Sequence, residues 1–414
     1  MATSQFLNVG SALGLAAANC SIVGITNAID TSAVVELPIR YAGQFQMLYC
    51  YASVAPTMTT ATVALWKNQA STTLSISYTT GQSGIKENTS TTITVVNTDE
   101  VHYNGSTSDT SFRLNVLGTR FNPTSPANMI ITLVAARSSA GVAVTVGSTY
   151  YCAANGELLA TTTEANAKFS AGKAMTASRL YTYVSANAAM ATLTCRTRVN
   201  GVNGAQSTAY TSGQTGAKED TTNTDSISIG DDFNYSIATE GMGGGSVTIK
   251  TLCVHLYALN VTSATQFYPL MASSTDGVGV SFNTTTYCGC AGDLLFTTTE
   301  ADTQLRPRFT IIIANIGAYV SANTIATSAS TIYLRDNGAD SSVSVSYNAG
   351  QTGLKSDSTL TATITSAADK MNYKVATPNT SGTLTITWIG VFSKQEDLSD
   401  NLFVKQAVNR SYTY

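Results

Sequence analysis

Apolar and polar residues alternate singly through much of the chain. Val343-Ser-Val-Ser-Tyr347, Leu360-Thr-Ala-Thr-Ile-Thr365 and Leu384-Thr-Ile-Thr-Trp-Ile389 place an apolar side chain at every second position, the period of a β-strand buried on one face. Asp-Asn-Gly, Ala-Ala-Asp and Pro-Asn-Thr-Ser-Gly separate these runs, and such residues supply turns. The C-terminal third therefore predicts strands near 331–335, 343–347, 360–365, 371–375 and 384–389. An entry strand, a strand at 294–296 and one at 311–320 join them. Seven or eight strands in about 130 residues mark an all-β sandwich or barrel. Only 163–168, the matching stretch after Thr299, and 402–410 suit a helix.

The pattern recurs three times. Tyr78-Thr-Thr-Gly81-Gln82-Ser-Gly84-Ile-Lys86 returns as Tyr210-Thr-Ser-Gly213-Gln214-Thr-Gly216-Ala-Lys218 and as Tyr347-Asn-Ala-Gly350-Gln351-Thr-Gly353-Leu-Lys355, offset by 132 and then 137 positions. A fixed period on this scale is a repeat architecture. Upstream of each marker stands a basic residue with a turn: Lys67-Asn68-Gln69, Arg198-Val-Asn200-Gly201 and Arg335-Asp-Asn337-Gly338. Asn-Gly favours the positive φ angles of a tight hairpin, and the first copy carries Gln69 at the glycine position. An acid four residues before a tyrosine recurs as Asp99/Tyr103, Asp231/Tyr235 and Asp369/Tyr373, and Cys20, Cys152 and Cys288 fall in register. The expectation is three tandem antiparallel β-sandwich repeats, jelly-roll-like, at 1–138, 139–262 and 263–395. Short linkers lie near 138–141 and 273–277, and a tail or docking arm covers 396–414.

Composition removes several kinds of function. Charged residues make up 11% of the 414, with a formal net charge of −3, which argues against a nucleic-acid binder that neutralises the phosphate backbone with a basic face. Sixty-five threonines take the place of charge, in keeping with the strand preference of β-branched residues. No run reaches 18 apolar residues, so no membrane-inserted helix is expected. The apolar stretch at 11–18 has no cationic segment before it, the first basic residue being Arg40, and it does not read as a secretory signal.

Candidate chemistry is sparse, and neither an enzyme nor a cofactor or metal site is expected. With only His102 and His255, both in strand-like runs, a multi-histidine metal site is ruled out and a hydrolytic triad has almost no material. The seven cysteines show no finger spacing and read as small buried apolar residues. The Gly-x-x-Gly-x-Lys turns, built on Gly81/Gly84, Gly213/Gly216 and Gly350/Gly353, lack the spacing and Lys-Ser/Thr ending of a phosphate loop and join two strands, so they predict hairpin turns. The adjacent acids Asp231-Asp232 alternate across a strand, and Asp336-Asn-Gly-Ala-Asp340 reads as a turn, not a calcium loop. Tyrosine stands out, with 20 against 12 Phe and 2 Trp. The equivalent Tyr51, Tyr183 and Tyr319 read first as core residues with a wet hydroxyl, and as candidates for an interface or a sugar-stacking platform in the alternative.

The run Arg198-x-Asn200-Gly201, an alternating strand, Gly213-Gln-Thr-Gly216, a Ser/Thr/Asp-rich segment, Asp231-x-x-x-Tyr235 and a threonine-rich closing strand resembles the β-sandwich repeats of tailed-bacteriophage virion proteins, such as capsid decoration and fibre proteins. That resemblance implies a non-enzymatic part of a virus particle, assembled in the host cytoplasm and then extracellular. Its partners would be other virion proteins such as the major capsid protein. The tail, with Leu402, Phe403 and Val404, would serve as a docking arm. A tail-fibre or lectin-like module binding a host-surface glycan is the alternative.

Overall fold

The computed structural model describes residues 5–9, 13–14, 18–20, 37–39, 42–109, 111–123, 130–172, 174–239, 245–258, 268–290, 292–304, 311–364, 369–395 and 407–408. Among these residues the protein is all-β, with six sheets that fall into three pairs along the chain.

The second copy shows the plan. Its eight main strands, in chain order, are Ile130–Thr145, Thr149–Cys152, Met175–Asn187, Leu193–Val199, Val202–Tyr210, a sixth split into Gly216–Glu219 and Thr224–Ile227, Asp232–Thr239 and Ser246–Ala258. One sheet runs first-eighth-third-sixth and the other second-seventh-fourth-fifth. This interleaved order is that of a jelly roll, in which long connections carry the chain from sheet to sheet. The other two copies repeat it, with an unbroken sixth strand at Gly84–Val95 and Gly353–Ile364. Inward residues of both sheets build one core per copy, and the largest fully buried side chains include Tyr78, Tyr103, Tyr210, Tyr235, Tyr347 and Tyr373.

Several expectations are corrected. The stretches at 138–141 and 273–277 are not linkers: Ile130–Thr145 and Tyr268–Ser281 are continuous strands in which the register shifts between Arg137 and Val142 and between Ser273 and Val278. The first strand of copy two thus begins before the boundary expected at 138/139. Gly141 and Gly277 take φ of +79° and +75° inside these bulges, where an added Cβ would lie 2.3 and 2.8 Å from threonine methyl groups of the paired strand. Glycine within a strand is a sequence sign of a bulge. Residues 294–296 form no strand, the flanking bridge being Tyr287 with Thr297. The helix-compatible pieces are single 3-10 turns at Glu164–Ala167 and Glu300–Thr303. Of the stretch 402–410 only Ala407–Val408 is described, and it pairs as a strand with Leu117 and Val116 of the first copy.

Candidate functional site

Each copy repeats two polar constructions and one apolar junction. The first construction holds the hairpin between the fourth and fifth strands. Asn68, Asn200 and Asn337 sit at φ near +50°, followed by Gln69, Gly201 and Gly338, also at positive φ, the geometry of a type I′ turn. The first copy makes this turn with glutamine at φ +64°. Each asparagine clasps the turn before the seventh strand: its Nδ2 donates to Asp99, Asp231 or Asp369 at 2.7–2.8 Å, and its Oδ1 accepts the next backbone N–H at 2.8–3.0 Å. The recurring acid therefore belongs to a clasp, and the tyrosine four residues on points into the core.

In copies two and three an arginine braces the same hairpin. Arg198 Nε donates to Glu164 at 2.6 Å and Nη2 at 3.2 Å, and Arg335 makes the equivalent pair with Glu300 at 2.9 and 3.1 Å. Both guanidinium groups also bond the turn carbonyl, of Gly201 or Gly338, and lie over the rings of Tyr151 and Tyr287. The Glu300 carboxylate holds the Arg335 pKa above its ordinary range. Copy one has Trp66 at this position, against His102 with ring centroids 5.6 Å apart. Asp336 and Asp340 belong to this braced turn, Asp340 pairing with Arg335 and Lys374 at 2.5 Å.

The second construction is the Tyr-x-x-Gly-Gln-x-Gly-x-Lys motif. The expected hairpin is corrected here too, because the fifth and sixth strands lie in different sheets and the motif is a corner between them. The glycines take φ between +70° and +94° with nothing within 4 Å of an added Cβ, so backbone conformation alone requires them. The tyrosine hydroxyl ties the sheets together. Tyr78 donates to Gly84 O at 3.0 Å and Cys50 O at 3.1 Å, Tyr210 to Gly216 O and Thr182 O at 3.1 Å each, and Tyr347 to Gly353 O at 3.1 Å and Ala318 O at 2.5 Å. Burial pushes these phenols above their ordinary pKa. The glutamine Oε1 accepts the N–H of Thr79, Thr211 or Asn348 at 3.0–3.1 Å. The lysine reaches back to a strand carbonyl and lies 4.9–5.5 Å from the tyrosine ring. Part of the amino group's donor capacity is thereby spent on the corner's own backbone.

The junctions join the copies. Tyr181, Tyr183 and Cys253 of copy two pack into the core cluster of copy one, Met271, Tyr319, Trp388 and Phe392 of copy three into that of copy two, and Met47 of copy one against that of copy three. Each copy thus touches both others. The residues used come from the third and eighth strands apart from Met271 on the first, so this sheet is covered on both faces. Leu252-Cys-Val-His-Leu256 and Trp388-Ile-Gly-Val-Phe392 are accordingly apolar almost without interruption. A strand buried on both faces gives up the period of two, and that loss was readable in the sequence.

Of the candidates read from sequence, Tyr51, Tyr183 and Tyr319 lie mid-strand and half-buried. Tyr183 and Tyr319 pack on a neighbouring copy, and Tyr51 on Tyr49. None sits at a loop tip. Leu402, Phe403 and Val404 lie outside the described residues. Six cysteines are buried without disulfides, and burial pushes the Cys195 thiol up to about 12 against the pull of the Thr208 hydroxyl. Among the described residues no three His, Cys, Asp or Glu side chains cluster as metal ligands.

The junction between copies two and three also holds a cleft of about 200 Å³, which sequence reasoning missed. Its floor is Trp388 and Phe392, its rim Ile229 and Leu354, and Ser356 and Asn315 line its side. Gly317 opens it: copies one and two have Tyr49 and Tyr181 at this position, and a Cβ on Gly317 would lie 2.6 Å from the Trp388 ring.

No protein-family model and no curated protein matches the chain. Nine solved chains match it structurally. One is a Paenibacillus xanthan lyase, 13% identical, aligned over 70% of this chain and 30% of its own length at a TM-score of 0.18. A likeness that slight bears on neither fold nor activity.

Proposed function

We propose that the protein is a non-enzymatic structural component of a virus particle, most simply one that decorates or cements the exterior of a tailed-phage capsid. The observation that carries this reading is the mutual packing of three jelly rolls from one chain, each against the other two. Jelly rolls are common among viral shell proteins and also among lectins, and the fold alone assigns no role. The recurring polar residues support a structural role, since the tyrosines, glutamines, lysines, asparagines and acids of the motifs are committed to corners and clasps. One chain with three alike lobes suits a local three-fold position on a shell. The glycan-binding alternative has less support, because its tyrosines are packed within strands.

The test is co-sedimentation of the purified chain with capsid shells assembled from the same genome and stripped of this protein. Saturable binding at a fixed ratio to shell subunits is expected. Absence of binding, with attachment to the host envelope instead, would overturn the proposal.

A further inference from the structure

We infer that the cleft between copies two and three is a socket for one bulky apolar side chain of a partner protein. This deepens the reading above, on which the partner is the protein forming the shell surface.

The chemistry of the cleft sets the occupant. Its volume, about 200 Å³, is ample for one large aliphatic or aromatic side chain. No charged side chain lines it. The rim residues Ile229 and Leu354 are 67% and 44% exposed, large apolar groups left in water at a concavity, and apolar anchors that fill pockets carry most of the energy of protein interfaces. The floor continues an interface that already exists, because Trp388 and Phe392 belong to the core shared by copies two and three. Those two rings are 5% and 6% exposed, so neither offers the open face that sugar stacking needs.

The junction between copies one and two shows what was changed. At the positions of Asn315 and Ser356 it has Arg179 and Glu219, an ion pair at 3.8 Å. At the positions of Gly317 and Trp388 it has Tyr181 and Thr251. Relative to that junction, the one between copies two and three lacks the charges and exchanges tyrosine for glycine, which leaves an uncharged concavity. An anchor at one junction of three would also fix the rotational setting of a nearly three-fold body on its partner.

The test uses the full chain and the stripped shells. Ser356→Phe fills the cleft and Leu354→Lys charges its rim, while Met58→Lys alters an exposed apolar residue elsewhere, 76% exposed. Each variant is first shown to melt as the parent does, and having two cleft variants guards against one failing to fold. Shell affinity is expected to fall about tenfold or more in both cleft variants, as loss of an interface anchor does, and to stay within about twofold in Met58→Lys. Parental affinity in both cleft variants would overturn the socket and leave the structural role standing. Failure of the parent chain to bind shells would overturn both. Loss of attachment to host envelope with shell binding intact would assign the cleft to a glycan and overturn the socket.

Discussion

Single side chains set the geometry of each corner. The Tyr210 hydroxyl, from one sheet, reaches two backbone carbonyls of the facing sheet, those of Thr182 and Gly216, and lies 2.8 Å from the Thr182 hydroxyl, so Tyr210→Phe strips buried acceptors of their donor without changing packing. The expected loss is about 1–2 kcal/mol of unfolding free energy, read from urea denaturation. Asp220 interrupts the sixth strand of copy two. Burial alone would raise its pKa, but the Asn223 side chain and the N–H groups of Ser207, Asn223 and Thr222 outweigh burial and hold it at about 2. A carboxylate whose folded pKa lies below its unfolded value of about 3.9 stabilises the fold fully above that value, and the contribution disappears as pH falls toward the folded pKa. Stability should therefore drop between about pH 4 and pH 2, and Asp220→Asn should make that drop shallower. Urea midpoints across the window decide the matter.

At the scale of elements, the hairpins gain their turn from asparagine and the residue after it. Copy one holds Gln69 at φ +64° where the others have glycine, and a non-glycine residue there costs on the order of 1 kcal/mol. Gln69→Gly should raise stability by up to that amount, with a higher melting temperature and no change in circular dichroism. If melting is unchanged or lower, the strain lies elsewhere. Alternation and turn residues made the strands legible, and the repeat marker made their recurrence legible. In sequence the corner looks like a hairpin, because its glycines report positive φ but not which sheet receives the next strand. The bulges resemble linkers in sequence, because Ser-Ser-Ala-Gly looks the same in both settings. What fixes the choice is the register with Thr248 and Ile249, about a hundred residues downstream.

At the scale of the molecule, the junctions were the least legible part. Tyr181, Cys253, Trp388 and Phe392 sit on strands whose other face already fills a core, and only the missing alternation hinted at a second covered face. The cleft was invisible from sequence because it arises from Gly317 on one strand meeting Trp388 on the next. The tail closes the arrangement from the other side, since Ala407–Val408 adds to the strand Arg113–Pro123 of the first copy. The last copy of the chain is thereby tied back to the first.

The central claim is that one chain makes the whole three-lobed body. The most direct test is light scattering coupled to small-angle X-ray scattering on the purified protein. The account predicts a monomer of 43.2 kDa with a radius of gyration of about 22 Å, as for a compact chain of this length. A radius near about 35 Å, expected of three such sandwiches strung end to end, or a mass three times larger in an elongated particle, would contradict it.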